Sequence, residues 1–129
     1  MKTTREIFNI VKNHLLTQKV VAQDRAGGCV YRDEEGNKCA VGCLIERGYD
    51  SLIEGVGLID VKRFVENETT LHTDLKVQCL VDSLRKNDVD VYDEETLNLL
   101  SQLQYIHDEV APFLWEESLH DLEKEFLSV

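Results

Sequence analysis

Apolar residues recur at three- and four-residue steps along most of this chain, which constrains it to pack helices against one another. Ile7, Phe8, Val11, Leu15 and Leu16 fall on one side of a helix over 4–19. Thr3 and Glu6 have the spacing of a capping box ahead of it. Val77, Leu80, Val81 and Leu84 give a second stripe over 73–86, with Thr73 as its expected N-cap. The clearest helix spans 94–109, with Leu99, Leu100, Leu103, Ile106 and Val110 on its core side and Asp93 as cap. Pro112 suits the first turn of a last helix, which carries Trp115, Leu119, Leu122 and Phe126. Residues 42–47 read as a short helical turn closed by Gly48. Within 49–70, Val61, Phe64 and Val65 fit one short helix, although Gly55 and Gly57 break the pattern before it.

One stretch reads differently. Residues 29–32 (Cys-Val-Tyr-Arg) and 37–41 (Asn-Lys-Cys-Ala-Val) flank an acidic turn ending in Gly36, which predicts a β-hairpin over 29–41. The expected fold is thus mostly α (α+β), with about five helices and one small hairpin. The 129 residues suffice for a single domain over 1–129. No internal repeat or linker stands out in the sequence.

The net charge of −11 is unevenly placed. Residues 1–64 hold 10 Lys and Arg against 9 Asp and Glu; residues 65–129 hold 4 against 16. That balance disfavours direct binding to nucleic acid, which rewards a basic surface, and to anionic membranes. No run approaches the length of a membrane span, and Arg5, Glu6 and Lys12 interrupt any secretory signal. A cytoplasmic setting is expected, with the four cysteines as thiols.

Cys29, Cys39 and Cys43, spaced C-x9-C-x3-C, are the candidate zinc ligands, with Cys79 or a histidine (His14, His72 or His107) as a fourth. The plainer expectation is that they are small apolar core residues and that no cofactor is held. A thiol nucleophile, Cys43 or Cys39 with His107 as base, is a further reading. His107-Asp108, at the end of the 94–109 helix, reads first as a C-terminal cap. Tyr31 and Arg32, with Lys38 opposite, form the one basic and aromatic feature and the expected seat of a small, nucleotide-like anion. The carboxylates of 88–95 fail the calcium-loop pattern, and Gly55-x-Gly57 lacks the third glycine of a dinucleotide fingerprint.

The run Cys29-Val-Tyr-Arg followed by Gly36-Asn-Lys-Cys-Ala-Val-Gly-Cys-Leu-Ile45, with Leu103-Gln104…His107-Asp108 and then Trp115, resembles a set of small bacteriophage and prophage proteins. The resemblance implies a viral setting and no particular reaction. It marks Tyr31, Arg32, Lys38, Cys39, Cys43, His107 and Asp108. Where members of the set often carry proline after Leu-Ile, this chain has Glu46. The leading functional expectation is an acidic accessory protein that binds and inhibits or redirects a host protein. Glu94, Glu95, Glu116 and Glu117 are then the candidate contacts to a basic partner surface.

Overall fold

The computed structural model describes residues 1–66 and 75–127. Five α-helices follow in order: α1 (Thr4–Gln18), α2 (Leu58–Glu66), α3 (Leu75–Lys86), α4 (Glu94–Glu109) and α5 (Trp115–Leu127). Short 3-10 turns occupy Gly42–Leu44, Ser51–Ile53 and Pro112–Leu114. Thr73 and His72 lie outside the described residues.

The caps of α1 and α4 form as the sequence expects. Thr3 Oγ1 accepts from Glu6 N at 3.1 Å and Glu6 Oε1 accepts from Thr3 N at 3.1 Å, closing the capping box of α1. Asp93 Oδ2 accepts from Thr96 N at 3.2 Å at the start of α4. Pro112 opens a 3-10 turn, so α5 itself starts only at Trp115.

Helices α1, α4 and α5 pack mutually, while α2 and α3 pack on each other and α2 also reaches α4. The core collects the anticipated stripes: Ile7, Phe8, Val11 and Leu15 of α1, Leu99, Leu100, Leu103 and Ile106 of α4, and Trp115, Leu119 and Leu122 of α5. Residues 39–45 run through this core as an unbroken buried segment.

The expected hairpin over 29–41 does not form: the described residues contain no strand. The antiparallel pairing is reduced to two isolated bridges, Gln23 with Cys29 and Arg32 with Lys38. The physical reason is that helix and loop side chains take the backbone groups a ladder would use. The Glu54 carboxylate accepts from Tyr31 N at 2.8 Å and Arg32 N at 3.2 Å. Gln18 Oε1 accepts from Lys38 N at 2.8 Å, while Lys38 O accepts from Gln18 Nε2 at 2.9 Å. His14 Nε2 lies 2.8 Å from the same Lys38 O, and Gln104 Oε1 accepts from Val41 N at 3.1 Å.

The two bridges belong to a structural repeat of nine residues. Asp24 and Asp33 each open a turn in which a side-chain oxygen accepts two amides, those of Ala26 and Gly28 and those of Glu35 and Asn37. Gly27 and Gly36 occupy the same position in each turn, both at φ 84°, where a side chain is disfavoured.

Candidate functional site

The two segments that carried the motif, near 29–45 and 103–108, meet at one cavity of about 210 Å³. Its lining includes Cys29, Tyr31 and Cys39 from the bridged segment, Gln104 and Asp108 from α4, and the stretch Gly55–Leu58. Two glycines in that last stretch leave bare peptide over much of this wall.

The polar side of the cavity is an ordered relay. His107 is fully buried. Its Nε2 accepts from Ala22 N at 3.0 Å, so the ring proton is assigned to Nδ1. Nδ1 then donates to Asp108 Oδ1 at 2.7 Å. Gln104 Nε2 donates to that same oxygen at 2.9 Å, since residues four apart share a helix face. Trp115 stacks on the imidazole at 5.7 Å between ring centroids and anchors its indole N–H on Val110 O at 2.9 Å. The Asp108 side chain, 28% exposed, is therefore a carboxylate fixed from behind. Neither of these two donors uses its second oxygen. The expectation that His107-Asp108 caps α4 gives way to this inward, bridging role: the imidazole is committed to Ala22 and Asp108, not to the helix carbonyls.

The other motif residues serve the frame. The Tyr31 hydroxyl donates to Val56 O, and burial pushes its pKa upward. Arg32 stacks over Tyr49 at 4.3 Å and donates from Nη2 to Ile45 O at 2.6 Å. Tyr49 in turn donates to Glu54 at 2.5 Å. Lys38 does not line the cavity. Tyr31, His107 and Asp108 thus converge, while Arg32 and Lys38 of the expected anion seat do not join them. Glu54 and Gln104 were not singled out by spacing. Only Gln104 carried a signal, as part of the Leu-Gln…His-Asp segment.

The cysteines do not assemble as C-x9-C-x3-C suggested. Among the described residues, the potential metal ligands whose donor atoms all lie within 4.8 Å are Cys29, His107 and Asp108. Their chemistry fits a metal poorly. With Nε2 engaged by an amide N–H and Nδ1 carrying the proton, His107 has no lone pair to offer, leaving two donors where zinc takes about four. Cys39 Sγ accepts from Gly42 N at 3.2 Å and Cys43 Sγ donates to Ala40 O at 3.0 Å, so both thiols serve the backbone instead of His107.

Burial pushes the thiols of Cys39 and Cys43 up to about 12. Burial, then the Asp108 carboxylate, pushes Cys29 up to about 11, although that residue reaches solvent. A rise from 9.0 to about 11 lowers the thiolate fraction near neutral pH about 100-fold. Alkylation followed by intact mass is expected to modify Cys29 about 100-fold more slowly than a free thiol, and Cys39 and Cys43 only on unfolding. The linkage has a definite sign. Raised acid pKa values stabilise the folded chain fully below pH 9 and lose that stability as pH rises through 9 toward 12. A denaturation midpoint that stays level above pH 9 contradicts this.

The four candidate partner glutamates divide. Glu94 and Glu95 open α4 while Glu116 and Glu117 open α5, one short connection beyond its far end. A helix of this length separates the pairs by about 20 Å, so they make two acidic spots and not one face. No helix among the described residues is long and apolar enough to cross a membrane. Comparison of the chain with protein-family models, with curated proteins and with solved structures gives no match.

Proposed function

We propose that this chain is a binding module for a compact molecule presenting N–H donors, such as an amidine, a guanidine or an exocyclic amine on a flat ring. The observation that carries this reading is the Asp108 carboxylate, held by His107 and Gln104 through one oxygen at the wall of the cavity. A fixed carboxylate whose ordering cost is met in the free protein is a strong receptor for charged or paired donors. The rest of the lining suits a flat apolar body: Val30, Val56, Leu58 and the Cys39 thiol surround it. At about 210 Å³ the space is below the roughly 300 Å³ at which drug-sized sites begin, so the ligand is a small one. The same carboxylate disfavours the nucleotide-like anion that Tyr31, Arg32 and Lys38 suggested.

The test is a thermal-shift and calorimetric comparison of benzamidine, guanidinium and cytosine with benzoate and inorganic phosphate. Benzamidine or cytosine is expected to raise the melting temperature by mass action, and the two anions to leave it unchanged. Asp108→Asn is expected to weaken the bound probe at least about 10-fold, the scale of one charge-assisted hydrogen bond. Binding that is undiminished in this variant, or stabilisation by the anions alone, overturns the assignment.

A further inference from the structure

A second feature has no part in that cavity. Phe113 is 83% exposed and Leu114 beside it 40%. Both sit in the 3-10 turn Pro112–Leu114 that links α4 to α5. On one side of Phe113 lies a groove lined by Leu15, Leu16, Lys19, Pro112, Trp115 and Glu116. On its other side a hollow is lined by Lys12, Glu116, Glu117 and His120. An exposed phenylalanine beside an apolar groove, both rimmed by charge, is the composition of an interface core and its rim.

The charges choose the occupant. A uniformly basic partner would meet Glu116 and Glu117 but also Lys12 and Lys19, and like charges brought together oppose binding. The patch instead has a basic edge on α1 and an acidic edge on α5, with Phe113 between. Such a surface complements itself when turned through a two-fold axis. We infer that this face seats a second copy of the chain: Phe113 of each protomer enters the groove of the other, and the Lys12–Lys19 edge of each lies against the Glu116–Glu117 edge of its partner. This inference is independent of the ligand reading, because no residue is shared between the groove and the Asp108 cavity.

Sedimentation of the full chain over a concentration series is the test. The wild-type chain is expected to shift from monomer to dimer, and Phe113→Asp to stay monomeric with an unchanged far-ultraviolet spectrum. Lys12→Glu with Lys19→Glu, and Glu116→Lys with Glu117→Lys, are each expected to be monomeric alone and to associate when mixed. Mixing is decisive, since neither loss of folding nor a foreign partner would restore association between two reversed edges. A wild-type chain that stays monomeric at about 1 mM, where even weak association is populated, sinks the inference. So do a Phe113→Asp chain that dimerises like wild type and a mixture that stays monomeric.

Discussion

Gly42→Ala is expected to unfold the chain or lower its stability by at least about 3 kcal/mol, the upper end of the usual cost of a small insertion into a packed interior or above it. A Cβ at this position would lie 2.1 Å from the Tyr31 carbonyl oxygen and 2.9 Å from its carbon. Backbone at that distance has to move, and Tyr31 has little freedom to do so. Its amide donates to Glu54, its carbonyl accepts from Cys39 N at 3.2 Å, and its hydroxyl donates to Val56 O. Gly36→Ala supplies the comparison. Gly36 lies at φ 84° but its added Cβ meets nothing within 4 Å, so only the left-handed backbone is penalised, at about 1–2 kcal/mol. Urea denaturation of both variants separates the two effects. If Gly42→Ala costs no more than Gly36→Ala, the close approach is not what requires glycine.

That contrast marks what a reader of the sequence can and cannot see. The stripes of α1, α4 and α5 are local patterns, and their caps are set by residues three apart, so Thr3, Glu6 and Asp93 announce themselves. The 29–41 segment misleads because its β-favouring residues are real while their hydrogen-bond partners are not local. Glu54, Gln18 and Gln104 intercept the backbone from elements well away in the chain, and nothing in their own neighbourhoods foretells it. The nine-residue repeat of Asp24-x-x-Gly27 in Asp33-x-x-Gly36 does not stand out in the sequence, because a repeat of one turn reads as composition. Of the candidate site, Tyr31, Cys29, His107 and Asp108 are visible as residue types. Their convergence is tertiary, whereas the inward direction of His107 follows from its place on the Leu100–Leu103 face of α4. A histidine in the last turn of a helix reads as a cap until the donor to its Nε2, an amide 85 residues earlier, is known.

His107→Leu is therefore expected to damage both the fold and the site, and the way it does so tests the relay. The substitution keeps apolar bulk beneath Trp115 but removes both ring nitrogens. Ala22 N–H then loses its acceptor and Asp108 one of the two donors on Oδ1. Leaving the buried Ala22 amide unpaired costs about 1–3 kcal/mol, and Asp108, still paired with Gln104, adds less than that, read together as a fall in the urea midpoint. Total stability for a domain of this size is about 5–15 kcal/mol, so much of the variant still folds. In that folded fraction the Ala22 amide is expected to exchange with solvent faster, and benzamidine affinity to fall, because Asp108 has lost the His107 donor. The tautomer gives a check without any substitution. Nitrogen-15 spectra of the wild-type ring are expected to show the proton on Nδ1, the nitrogen facing Asp108. A proton on Nε2 is incompatible with an N–H donated from Ala22. Finding it there would free the Nδ1 lone pair, dissolve the relay, and restore Cys29, His107 and Asp108 as a set able to hold a metal ion.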